Sequence, residues 1–282
     1  EGEEKTVIQC GSNYISVTNG SNVSFKGFTV KGATKGAFRI SGAYVRMQNM
    51  ILKDNMASQG AGILITGTNA GLNLDNVKFI NNQATSNGGA IYVSSAVDLS
   101  LTQVTFSGNS AKSGGAIYLN KTPKTLLIEN SKFVNNHATR EQGGAIFLSD
   151  TQTSSSLIIK NTQFFQNTAG QDGGAIYWQT RAAITTIENV VVSQNTAKRD
   201  GGAIYSMRGP LDVTRSSFFD NEAQRRGGAI YLAGPSKLDL SYSLLTRNQA
   251  SYGGGLYLSG NAEAAITRSA ISANEASQYG GG

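Results

Sequence analysis

A single cysteine, Cys10, leaves no partner for an internal disulfide and no set of thiols for zinc. It sits in the strand-like "KTVIQCG", where free cysteine is usually a buried, inert side chain. The single histidine, His137, excludes a histidine metal centre, and no serine or cysteine triad has support either. Three prolines against 34 glycines, with many Asn, Ser and Thr, exclude a helical protein, because these residues favour turns and compete for helical hydrogen bonds. No apolar run approaches the ~20 residues needed to cross a bilayer, so no membrane insertion is expected of this segment. Blocks of like charge are absent too. Twenty-four Lys and Arg against 18 Asp and Glu leave a formal charge of +6, which is compatible with an anionic glycan or cell surface and does not indicate nucleic acid.

What the chain has in abundance is repetition. "FSGNSAKSGGAIYLN" (106–120) returns as "FVNNHATREQGGAIFLS", "FFQNTAGQDGGAIYWQ" and "FFDNEAQRRGGAIYLA". The aliphatic residue after the glycines recurs as Ile63, Ile91, Ile117, Ile146, Ile176, Ile204, Ile230 and Leu256, at intervals of 26 to 30 residues. An asparagine followed two places later by alanine recurs at Asn55, Asn82, Asn109, Asn136, Asn167, Asn195, Asn221, Asn248 and Asn274. The phenylalanine position and a branched aliphatic position five residues before it are apolar in every copy.

Segments such as "LNLDNVKF" and "AIYVS" alternate with period two, which fits strands and not helices. About three short strands per unit, cornered by Gly or Asn, predict an all-β fold: a single-stranded, right-handed parallel β-helix of about ten coils, with 26–30 residues per coil. We expect one continuous body over 1–282, with irregular coils in 1–55 and regular ones in 56–282. Opening on "EGEE" without methionine and stopping at "GGG", it reads as part of a longer protein. Variable spacing puts exposed loops at two corners, one between the Asn and the glycines and one after the Ile strand.

Stacking sets equivalent residues about 4.8 Å apart, so the Asn column should be a structural ladder passing amide hydrogen bonds between coils. The residue after the Ile marker is Leu64, then Tyr92, Tyr118, Phe147, Tyr177, Tyr205, Tyr231 and Tyr257 in successive coils. Opposite in direction to the Ile, these aromatics should form an outward stripe, either a binding face for sugars and proteins or a ladder that stabilises neighbouring strands.

Before the glycine pairs sit Asp172 and Asp200, near Arg140, Arg199, Arg225 and Arg226. One coil spacing resembles the separation of a retaining glycosidase's two carboxyl groups. The alternatives at this corner are solvated ion pairs and a line of guanidinium forks for acidic glycans. We expect no catalytic residues, no metal and no cofactor.

Tandem FxxN and GGAI, as in "FSGNSAKSGGAI", "FVNNHATREQGGAI" and "FFDNEAQRRGGAI", resemble the polymorphic membrane proteins of chlamydiae and related microbial repeat proteins over about residues 50–282. Val192, Leu245 and Ile271 depart from the motif phenylalanine and Gly255 from its alanine, all without harm to packing. The resemblance implies a secreted or surface-exposed passenger, often of an autotransporter, anchored in the outer membrane by a part not present here. Its implied role is adhesion to a protein or glycan of a host or neighbouring cell. A subunit of a surface filament formed by self-association, and a polysaccharide lyase or glycoside hydrolase, are the alternatives.

Overall fold

The computed structural model describes residues 6–18, 20–149, 156–179 and 185–281. Within them the chain forms an all-β parallel solenoid of about nine turns, without helix. One coil runs through four strands, Lys78–Ile80, Gln83–Asn87, Ile91–Val93 and Asp98–Thr102, rather than the three expected. Each strand pairs in parallel with its counterpart in the next coil, so that Phe79 meets Phe106, Ile91 meets Ile117 and Leu74 meets Leu101. The result is one sheet of eleven strands, one of nine and one of eighteen. The largest joins two stacks because Ile204–Thr214 and Ile230–Ser241 carry strand pairing around the corner that separates them elsewhere, with a shift of register between Met207 and Gly209.

That continuity removes the second expected loop from two coils; in two others the expected loop includes residues 150–155 and 180–184, outside the described residues. The first expected loop is corrected as well. Between the Asn and the glycines lies the nine-stranded sheet, whose two-residue strands such as His137–Ala138 and Thr168–Ala169 are too short to show an alternating pattern. The amino-terminal residues stack in the same way, with Val7–Gln9 on Thr29–Lys31 and the latter on Ile51–Lys53.

Inside the tube the phenylalanine column is buried and its rings stack. Centroids are 4.9 Å apart for Phe79 and Phe106, 4.7 Å for Phe106 and Phe133, and 4.7 Å for Phe133 and Phe164. The two glycines of each pair serve different needs. The first takes a left-handed backbone, as at Gly143 (φ 68°), which costs glycine little. The second has no room for a side chain: a Cβ on Gly144 would stand 1.9 Å from the carbonyl oxygen of Gly174.

The asparagines form an unbroken buried ladder. Asn136 Oδ1 accepts from the Asn109 N–H (3.1 Å) and Nδ2 (2.9 Å), while Asn136 Nδ2 donates to Asn167 Oδ1 (2.9 Å) and to the Phe106 carbonyl (3.0 Å). Both lone pairs and both amide protons are thereby used, so burial costs this polar side chain little. The ladder opens at Asn55, whose oxygen accepts from the Ala33 N–H, because the preceding coil has alanine at this place.

A second polar ladder went unread in the sequence. Ser131 Oγ accepts the Val104 N–H (3.0 Å) and donates to the Glu129 carbonyl (2.8 Å), and Ser216, Ser243 and Ser269 repeat the pattern. Its column holds Val77 and Val104 in earlier coils, which disguised it.

Asn136→Leu would strip two buried donors of Asn109 of their acceptor, for a loss of about 2–6 kcal/mol. Phe106→Ala, between two stacked rings, should cost about 3–5 kcal/mol. Because coils contact only their neighbours, the damage should be local, read as faster amide exchange at Asn109 and Asn136 with distant coils unchanged. A loss below about 1 kcal/mol for Asn136→Leu would remove the ladder from its structural role.

Candidate functional site

Three surface features were open to a functional role: the aromatic column, the arginine corner, and outward-facing carboxylates. The aromatic side chains do point away from the aliphatic core and form a separate cluster. They do not form an open stripe. Tyr92, Phe147, Tyr177, Tyr205 and Tyr231 are buried, and Tyr118 and Tyr257 half-buried.

The reason is stacking. Tyr118 and Phe147 have centroids 4.4 Å apart, Phe147 and Tyr177 5.1 Å, and Tyr205 and Tyr231 4.9 Å, so each ring hides its faces in its neighbours. At the end of the column the Arg226 guanidinium lies 5.5 Å from the Tyr257 centroid. Burial, with a smaller push from Asp172, lifts the Tyr177 hydroxyl to about 12, so this phenol stays neutral. A ladder that stiffens the strands is what this geometry provides.

At the corner, Asp172 and Asp200 do stack, but neither is solvated. Their side chains are 2% exposed, and each is gripped by the arginine of the following coil. Arg199 Nε donates to Asp172 Oδ1 at 2.9 Å and its Nη2 to Oδ2 at 2.7 Å; Arg225 holds Asp200 by the same fork, with Nε–Oδ1 at 2.9 Å. The Asp200 N–H also donates to Asp172 Oδ1 at 3.2 Å.

The burial of these aspartates was invisible in the sequence, which put them on an exposed edge. Burial beneath forked arginines withholds the carboxylates from a substrate, and the carboxylates neutralise Arg199 and Arg225 as an anion site. Arg140 is exposed, whereas Arg226 is half-buried with its Nε lacking a partner. His137 is exposed and shares its Nδ1 with Thr168 Oγ1; burial and then Lys198 hold its pKa below the ordinary value.

A different acid pair was missed. Asp212 and Asp239 are in register on adjacent strands and point outward, between the inward residues of "LDV" and "LDL". Their period-two placement was the available signal. Lys237 approaches Asp239 at 3.4 Å, and burial together with the Asp239 charge raises the Asp212 pKa. Among the described residues no group of three or more His, Cys, Asp and Glu is placed to hold a metal ion.

With this geometry in view, two family comparisons are informative. The right handed beta helix region matches residues 13–191, and the Chlamydia polymorphic membrane protein repeat matches residues 189–207 and 215–233. The first carries the hand expected from the repeats. The second covers the coils that contain Asp200, Arg225 and Arg226. No curated protein and no solved structure matches the chain.

Burial lifts the Asp172 carboxyl above the ordinary aspartate value, against the pull of Arg199. An acid so shifted favours the folded state below its unfolded pKa of about 3.9 and surrenders that advantage as the pH rises through the folded value. Melting temperatures should therefore contain a component that falls as pH rises above about 4, flattened in Asp172→Asn. A carboxyl midpoint at or below about 3.9 by carbon NMR would contradict it. Arg199→Ala leaves Asp172 without its counter-charge; with the arginine half exposed, the loss should be on the order of 2 kcal/mol, below that of a fully buried pair.

Proposed function

Since the chain belongs to the right-handed β-helix family and carries polymorphic membrane protein repeats, we propose that it is a non-catalytic, surface-exposed adhesive rod. The polymorphic membrane proteins are an outer-membrane surface family, and this repeat together with the β-helical fold fits a surface passenger domain. The observation that carries the reading is the repeat match inside an unbroken solenoid. A rod of stacked coils holds its surface residues at a fixed pitch away from its anchor, as an adhesin requires. Its partner on this reading is a protein or glycan of a host or neighbouring cell, and it acts outside the cell. The locking of Asp172 and Asp200 in arginine forks supports an absence of catalysis at that corner.

A second reading has one observation in its favour. Asp212, its pKa raised by burial, lies one strand from Asp239, and two carboxyl groups facing one bond are the means of glycoside hydrolysis. No other acidic pair among the described residues combines these properties on an outward face of one sheet with the same register.

The two readings part in a paired experiment with the purified chain. On the adhesive reading, beads coated with it attach saturably to epithelial cells and soluble chain competes, while a panel of neutral and acidic polysaccharides yields no new reducing ends. Release of reducing ends that disappears in Asp212→Asn and Asp239→Asn would overturn it and make the protein a hydrolase. Failure to attach, combined with end-to-end assembly under the electron microscope, would overturn it in favour of a filament subunit.

A further inference from the structure

Along this rod several columns of polar side chains, the asparagine, serine and arginine ladders among them, are bonded from coil to coil. A concave region of the surface carries polar side chains that are not. The outward face of the strands Asn22–Lys26, Tyr44–Gln48, Gly71–Asp75 and Asp98–Thr102, with Thr125 beyond, forms a groove of about 330 Å³. That volume is at the lower end of small-ligand sites.

Ser24, Arg46, Asn73 and Ser100 follow one another in register down its length. Among the described residues none of these four side chains has a hydrogen bond or ion pair with the protein. Beside them runs a second row. Here Tyr44 stands next to Gly71, and the tyrosine ring occupies the space a side chain at 71 would need, its Cδ1 being 2.5 Å from where a Cβ would lie. The ring is 45% exposed, so it borders the groove with apolar surface. Asp98 closes the row and accepts from Thr125 Oγ1 at 2.8 Å.

We propose that this groove binds a short acidic oligosaccharide laid along the rod. Three features select that class. A row of free amide, hydroxyl and guanidinium groups at about 4.8 Å intervals matches a linear ligand with polar groups spread along its length. An exposed aromatic surface beside them suits the apolar face of a sugar ring. The unpaired Arg46 supplies a fork for one carboxylate. An acidic peptide is disfavoured, because an extended peptide gains affinity by adding to a sheet edge, whereas here the main-chain groups are already committed to neighbouring strands on both sides.

In naming a ligand for the rod, the groove rests on the adhesive reading above, yet it is tested without cells. The purified chain is titrated calorimetrically with a uronic-acid tetrasaccharide, with its uncharged methyl ester, and with a tetraglutamate peptide. Saturable one-to-one binding of the uronate is expected, with the ester weaker. Arg46→Gln should weaken the uronate about tenfold and leave the ester unchanged, since it removes one charged fork. Tyr44→Ala should weaken both sugars. Thr186→Ala, on the same outward row but several coils away, should weaken neither, and unchanged melting curves would establish that the variants are folded.

No binding of either sugar at millimolar concentration would overturn the proposal, as would binding indifferent to both groove variants. Tighter binding of the peptide than of the uronate would overturn the sugar class. Cell attachment that survives Arg46→Gln and Tyr44→Ala would remove the groove as receptor contact and leave the adhesive reading intact. Sugar binding without cell attachment would do the reverse.

Discussion

Each asparagine between the two ends of the ladder must accept from the asparagine of the coil before it and donate to the one after it. This constraint fixes the coil rise, since a side-chain amide can bridge only neighbours at the spacing of paired strands. It also fixes the phase of every coil, because Asn136 Nδ2 reaches back to the carbonyl of Phe106 as well as forward to Asn167. A coil out of phase would leave an amide buried and unpaired. The phenylalanine stack, the inward alanines and the glycine corners all follow from holding successive coils in one register.

The same close stacking explains why so little of the repeated sequence is available for binding. Rings one coil apart lie face against face, so a column of tyrosines becomes a second small core instead of a platform. Acids stacked at a corner would repel, and here each is instead answered by an arginine from the next coil, with both carboxylates withdrawn from solvent. Repetition favours groups that satisfy one another, and satisfied groups have little left for a ligand.

Function in such a rod belongs where the columns change from coil to coil. The outward row that reads Ser24, Arg46, Asn73 and Ser100 becomes apolar at Leu127 and Ile158 and acidic at Asp212 and Asp239. Inward neighbours in the same strands, such as Met47, Leu74, Leu101 and Ile128, stay apolar throughout. Selection for the core thus leaves the outward face free to vary, and the groove and the acid pair both lie on that face of the largest sheet.

The sequence by itself determined the solenoid, the aliphatic and phenylalanine columns and the asparagine ladder, because each depends on identity repeated at a constant interval. It did not yield the serine ladder, since Val77 and Val104 share that column and mask its polarity. Nor did it yield the fourth strand, made of segments as short as His137–Ala138. Tertiary structure alone decided which faces are open. Whether Tyr177 presents a face or hides it depends on the ring one coil away, and whether Asp172 is solvated depends on Arg199, 27 residues along the chain. Local pattern sets the direction of a side chain; the distance to the next coil sets what it can still touch.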